Sequence, residues 1–248
     1  MIILISPAKS LDFETKFNCK LSSKPQFEKE AEKLSNDLEK FSISDLEKLM
    51  NISPKLAELN FLRWKNFKKN EARQALLAFD GDVYSGIEKE KYGKDDFEFA
   101  QNHLRILSGL YGILRPMDLI KPYRLEMGTE FKKFKFPMKN LYEFWSEKVS
   151  EELEKSNSES LINLASEEYF GAVDKKKISK PIINIAFKEN KNGALKIVGI
   201  NAKKARGLMT NFAIKNRITN PEKLKKFAEE NYKFSEKLSD KNNWVFVR

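Results

Sequence analysis

Residues 103–128 read HLRILSGLYGILRPMDLIKPYRLEMG. Arginine is the scarce cation of this chain. Of 46 Lys plus Arg only 8 are Arg, and Arg105, Arg115 and Arg124 fall within 20 residues of one another here. Gly109 and Gly112 tolerate positive φ and expose main-chain amides, so a turn carrying them fits directly against a phosphate. The pattern predicts a helix-hairpin-helix over about 95–121. Its first helix runs from Asp95 to Leu107, with Phe99, His103 and Ile106 at helical spacing, and its short second helix from about Pro116 to Lys121, closed by Pro122. Leu107, Leu110, Ile113, Leu119 and Ile120 would hold the helices together. The glycines lie three apart, where the common motif has them two apart. An ordinary helical corner inside the core is the alternative reading.

Around this stretch the elements alternate. Met1–Ser6 (MIILIS) is a buried-strand pattern ended by Pro7. Gln26–Phe41 carries Phe27, Ala31, Leu34 and Leu38 on one helical face. Ser44 and Glu47 have capping-box spacing, and Ser53-Pro54 opens another helix. Ala72–Phe79 reads as helical and Gly81–Gly86 (GDVYSG) as a turn. Leu141–Leu153 is an amphipathic helix; Leu161–Leu164 and Ile182–Phe187 are strands. Glu189–Gly193 is a hairpin turn into a strand over Leu195–Ile200. Asn201 caps a helix to about Ile218, and Trp244–Val247 is a terminal strand. No repeat and no linker divides the chain. The expectation is one α/β (mixed α+β) domain over 1–248, with a helical insertion near 26–122 that carries the hairpin.

Composition narrows the function classes. The net charge of +10 fits either an anionic partner such as nucleic acid or a lysine-rich solvated surface. Met1–Ile5 is too short to span a bilayer or to serve as a signal peptide, which points to the cytoplasm and away from a membrane. Cys19 is the single cysteine, so no internal disulfide is possible. One His and one Cys cannot build a Cys/His zinc site or an iron–sulfur cluster, so neither metal nor cofactor is expected; a carboxylate-only iron site stays open. His103 reads as a hydrogen-bonded core histidine. A Ser-His-Asp triad would need it, and no G-x-S-x-G elbow is present.

Two further segments carry chemistry. In Asn201–Met209 (NAKKARGLM), Lys203, Lys204 and Arg206 fall in the first turns of a helix, where the dipole disfavours cations unless an anion offsets it; the alternative is that they reach into solvent. Ser6–Asp12 (SPAKSLD) follows a buried strand, a common place for a ligand-contacting loop. Lys9 there is a phosphate contact, a nucleophile if desolvated, or part of a plain strand exit.

SPAKSLD, GDVYSG, the hairpin through PYRLEMG, LYEFW (141–145), INLASEEYF (162–170) and KKARGLM (203–209) occur in that order. Together they resemble the YaaA family of peroxide-stress resistance proteins, nearly end to end. The resemblance implies a cytoplasmic bacterial protein that limits oxidative damage. It also implies DNA binding through a helix-hairpin-helix in an unusual α/β fold with a positively charged cleft, and it supplies no established reaction or cofactor. The leading expectation is sequence-nonspecific DNA binding, by a chain favoured as a monomer, through Lys9, Arg105, Gly109, Gly112, Arg115, Arg124, Lys203, Lys204 and Arg206. The alternative is a DNA- or nucleotide-processing enzyme of glycosylase or lyase type, with Lys9, Asp12, Asp118 and Glu126 as candidates. An iron-sequestering protein ranks last.

Overall fold

Ile2–Ile5 forms strand β1, and all four residues are buried. A strand that is apolar at every position must be covered on both faces, which places it inside a parallel sheet. The computed structural model describes residues 1–191 and 193–248 and has that arrangement.

In chain order β1 is followed by β2 (Ser10–Leu11), α1 (Glu28–Leu38), α2 (Ile43–Met50) and α3 (Pro54–Lys65). Then come β3 (Arg73–Gln74), the single turn α4 (Ala75–Ala78), β4 (Phe79–Asp80) and α5 (Lys94–His103). The remainder runs β5 (Leu104–Ser108), β6 (Gly112–Leu114), β7 (Leu119–Ile120), α6 (Leu141–Lys155), β8 (Leu161–Asn163) and α7 (Glu167–Phe170). It ends with β9 (Ile182–Lys191), β10 (Ala194–Lys196), α8 (Gly199–Lys215), β11 (Lys233–Phe234) and β12 (Asn243–Val247).

The main sheet has the order β11-β12-β9-β8-β1-β5-β6, with β10 added beside β9. β5, β1, β8, β9 and β12 are mutually parallel. β6 and β11 close the two ends antiparallel. β1 pairs with β5 on one edge (Ile5 opposite Ile106) and with β8 on the other (Ile3 opposite Ile162). The chain therefore leaves β1 toward one side and returns on the opposite side. In open parallel sheets this reversal opens a crevice beyond the strands' C-terminal ends. α5 packs on β1 and β5, α6 on β6, and α8 on β9. No helix among the described residues is long and apolar enough to cross a membrane.

The structure corrects the reading of residues 95–121. α5 stops at His103, and Leu104–Ser108 is a parallel strand. Gly112–Leu114 folds back on it as a β-hairpin, with Leu107 opposite Ile113 and Ser108 opposite Gly112. Pro116–Lys121 is not helical; its end is β7, paired with β3. The cause is tertiary. Leu104, Ile106 and Leu107 are fully buried beside β1, and such pairing overrides local helical spacing. The bend lies in the interior. Gly112 takes φ +70, as a short hairpin loop requires, and a Cβ there would come within 2.5 Å of the Trp145 ring. A Cβ on Gly109 would meet the Leu125 carbonyl oxygen at 2.3 Å, and the Gly109 carbonyl accepts from Trp145 Nε1 at 2.8 Å. These glycines accommodate Trp145 and the Leu125 backbone rather than an external phosphate.

Other expectations shift by smaller amounts. The capping box is Ser42/Asp45, two residues before Ser44/Glu47, with reciprocal bonds of 3.1 and 3.0 Å. Ala72–Phe79 keeps one helical turn because the Leu76, Leu77 and Phe79 carbonyls converge on buried Lys89 Nζ at 3.4, 3.2 and 2.9 Å. Asn192, within the hairpin turn expected at Glu189–Gly193, lies outside the described residues. β10 covers Ala194–Lys196 instead of Leu195–Ile200 because α8 begins at Gly199. That earlier start also puts Lys203 and Lys204 in the second turn of α8 rather than the first.

Gly112→Ala is expected to cost about 2–5 kcal/mol, from a positive φ and a clash with Trp145. Urea denaturation measures this. A loss below about 1 kcal/mol would show that the hairpin is not packed as described.

Candidate functional site

β1 and β8 end side by side and are stitched together by two serines. Ser6 Oγ accepts from the Ser166 amide at 2.8 Å and donates to Ser166 Oγ at 3.2 Å. Ser166 is also the N-cap of α7, whose Glu168 and Tyr169 line the same recess as Ser6. The Tyr84 hydroxyl, from the Gly81–Gly86 turn, donates to the Ser6 carbonyl at 3.1 Å. Three segments far apart in sequence thus meet at the C-terminal edge of the sheet.

A fourth segment arrives through an unusually close backbone contact. A Cβ on Gly207 of α8 would lie 1.8 Å from the Val83 carbonyl oxygen, and one on Gly86 would lie 2.5 Å from the Lys204 carbonyl oxygen. Only glycine at both positions lets α8 seat on that turn. Seated there, α8 brings Lys203 and Arg206 over the ends of β1 and β8. The result is a recess of 440 Å³ whose wall includes Ser6, Lys9, Asp82, Tyr84, Glu168 and Arg206. Lys203 Nζ pairs with Asp82 at 3.5 Å. Arg206 has no ion pair or hydrogen bond to its guanidinium among the described residues, and its Nε is buried without a partner. Burial pushes its pKa down, and the charge of Glu167 partly restores it.

Glu168 also faces a second recess of 580 Å³, shared with Lys48, Asn51, Arg124, Glu126 and Lys133. Its Oε1 accepts from the Gly128 amide at 3.0 Å. Glu126 receives Lys9 Nζ at 2.7 Å and Arg124 Nη2 at 3.1 Å. The walls of both recesses carry both signs of charge. No group of three or more His, Cys, Asp or Glu among the described residues is arranged to hold a metal ion.

Lys48–Asn51, which line the second recess, are the end of the first helix of a helical hairpin. α2 and α3 pack against each other and are joined by Asn51-Ile52-Ser53. Asn51 takes the left-handed conformation (φ 48, ψ 58) and Ser53 is the N-cap of α3. The first turns of the two helices differ. α2 has its full capping box, whereas the Ser53 side chain makes no cap bond and no acid stands in the first turn of α3. With Pro54 at the first position, the next amides of α3 have no side-chain acceptor among the described residues.

Comparison with known proteins points to one family. The family model described as peroxide stress protein YaaA matches residues 1–238. The chain belongs to that family. UPF0246 proteins align with it over its whole length and essentially theirs: one from Acaryochloris marina at 50% identity over 254 residues, one from Crocosphaera subtropica at 46% over 252, and one from Francisella philomiragia at 46% over 257.

All the YaaA-like blocks except LYEFW contribute residues to these recesses, but the expected site residues divide into separate groups. Lys9, Arg124, Glu126, Lys203 and Arg206 line the recesses or their shared ion pairs. Arg105 and Arg115 lie elsewhere. Arg105 Nη1 donates to the Gln101 and Leu104 carbonyls, and Arg115 pairs with Asp118 at 3.0 Å. Asp118 is fully buried and also accepts from Ser23 Oγ at 2.6 Å. Lys204 pairs with Glu230, away from the recess wall. Asp12 accepts from the Glu14 and Thr15 amides, 2.9 Å each, in a loop beside Arg73. His103 is half-buried, with Nδ1 3.0 Å from the Met1 carbonyl and its ring stacked on Phe99. Sequence reasoning missed Ser6, Tyr84, Ser166 and Glu168, though all lie inside the quoted blocks. It also missed the Asn51–Ser53 hairpin, whose two helices were read separately. There the signal was present: an N-cap Ser-Pro only three residues beyond an apolar helix.

Burial pushes the Asp12 carboxyl up, but hydrogen bonds from Thr15 and Glu14 and the charge of Arg73 outweigh it and hold the group at about 2. A carboxyl lowered on folding stabilises the protein above its unfolded value near 4, and that stabilisation is lost as pH falls toward 2. Asp12→Asn is therefore expected to be less stable than the parent at pH 7, with the gap closing between about pH 4 and 2. Denaturant midpoints across that range check it; a pH-independent gap would contradict it.

Proposed function

We propose that this chain binds DNA through its phosphate backbone, with the α2–α3 hairpin as the gripping element. The observation that carries this reading is the uncapped start of α3. Its amides and helix dipole favour an anion, no carboxylate side chain occupies the first turn, and Lys48 and Lys55 stand exposed on either side of the turn. Asn51 and Ser53 are two apart with apolar Ile52 between them, the spacing of a helix-hairpin-helix turn that Gly109 and Gly112 lack. Lys133 borders the adjoining recess as a further cation, beside Lys132 and Arg124, which pair with Glu130 and Glu126. Backbone contacts carry little base information, so sequence preference is low and DNA shape matters more. Peroxide harms DNA where iron generates radicals beside it, so a backbone-binding protein is compatible with the stress role of the family.

Ser53→Asp separates this function from folding. An aspartate caps α3 and maintains stability, yet its charge opposes a phosphate at the same amides. The variant is expected to weaken DNA binding about tenfold while its melting temperature holds or rises, and Lys55→Glu to weaken it similarly. With about four phosphates neutralised, log K falls with log salt at a slope of roughly −3.6. Unchanged affinity in both variants, or binding indifferent to salt, overturns the reading.

One observation favours the enzymatic alternative: Lys9 and Glu126 meet at 2.7 Å between the two recesses. A lyase acting through Lys9 is expected to leave a borohydride-trapped adduct on abasic DNA that disappears in Lys9→Ala. No adduct with the parent protein removes that reading.

A further inference from the structure

Arg206 is the anomaly of the sheet's C-terminal edge. Desolvating a guanidinium is costly, and leaving an N–H unpaired adds to the cost. The other two cations that line this recess have carboxylate partners: Lys9 with Glu126 and Lys203 with Asp82. Among the described residues Arg206 has none, and it lines a recess large enough for a small organic ligand. Its position is built, since the backbone contacts of Gly207 with Val83 and of Gly86 with Lys204 fix α8 there at the expense of any side chain at either glycine.

Three properties describe what fits. Arg206 and Lys203 contribute a guanidinium and an ammonium to the wall, the latter also 3.5 Å from Asp82, and together they are a donor set that holds a phosphate. Glu168, in the same wall, already accepts from the Gly128 amide and links this recess to the neighbouring one that contains Glu126. The recess lies beyond the ends of β1 and β8, where the strand order reverses, the position at which open parallel sheets bind their ligands. We propose that this recess binds a nucleoside monophosphate, with the phosphate on Arg206 and Lys203 and donor groups of the nucleoside turned toward Glu168. The nucleotide is either free or the terminal residue of a DNA strand. The free case stands apart from the hairpin reading; the strand-end case rests on it.

The test is calorimetric titration of the full chain with AMP, GMP, CMP and dTMP, with inorganic phosphate, and with a 5′-phosphorylated single-stranded DNA hexamer. Arg206→Met, Lys203→Ala and the exposed control Lys223→Ala are compared with the parent. At least one mononucleotide or the hexamer is expected to bind saturably, more tightly than inorganic phosphate. A mononucleotide that binds identifies the free source, and binding by the hexamer alone identifies the strand end. Arg206→Met should weaken that binding about tenfold or more, Lys203→Ala by a smaller factor, and Lys223→Ala not at all. Because methionine replaces the buried part of the side chain without an unpaired N–H, the ligand-free melting temperature of Arg206→Met should hold or rise by about 2 °C. A purely structural arginine would give the reverse, a lower melting temperature with ligand affinity unchanged. The proposal is overturned by that reverse pattern, by no binding of any probe, or by inorganic phosphate binding as tightly as the nucleotides. The mononucleotide titrations contain no DNA, so their outcome does not depend on the hairpin.

Discussion

Strand β1 has no free side. Both faces are apolar and both edges are hydrogen-bonded, to β5 and to β8. This constraint organises the molecule. A strand so enclosed leaves the sheet only along its own axis, so the Ser6–Ser10 loop has to emerge where β8 also ends. The two serines that stitch those ends, the tyrosine that reaches them and the helix that starts at Ser166 all follow from that one convergence. The same pairing makes residues 104–108 a strand. A helix there would leave one edge of β1 unsatisfied, and buried backbone groups without partners are among the costliest defects a fold can carry.

The second organising contact is backbone against backbone. Gly86 and Gly207 bring α8 and the Gly81–Gly86 turn closer than any side chain would permit. The consequence is positional. A long helix with little amphipathic character of its own is held so that Lys203 and Arg206 overlook the strand ends. The cations there are of different kinds as a result. Most have acidic partners, which neutralise much of the local field and suit a protein that carries +10 overall. Arg206 has no such partner among the described residues, and that difference gives it its chemical interest.

The helical hairpin and the glycine-rich hairpin illustrate how one local pattern can arise from two causes. Glycines between apolar runs serve a phosphate when the turn faces solvent. They serve a tryptophan when it faces the core, as Gly109 and Gly112 serve Trp145. At Asn51–Ser53 the turn faces outward without any glycine, because asparagine tolerates the left-handed conformation and proline starts the next helix.

Local patterns determined a good deal of this protein from sequence alone. The all-apolar run of β1, the faces of α1 and α6, the Ser53-Pro54 helix start and the strands β8, β9 and β12 are visible because period and capping are properties of neighbouring residues. The mixed α/β class follows from their alternation, and the ordered blocks point to the family. Tertiary structure alone decided the rest. Whether Leu104–Ser108 is helix or strand depends on β1, a hundred residues away. Lys9 meets Glu126, and Arg206 overlooks Ser6, only because the sheet reverses its strand order and two distant glycines touch. Hydrophobic period records which side of an element is buried, but it carries no record of what buries it, and a site assembled from six separate segments is made of that missing information.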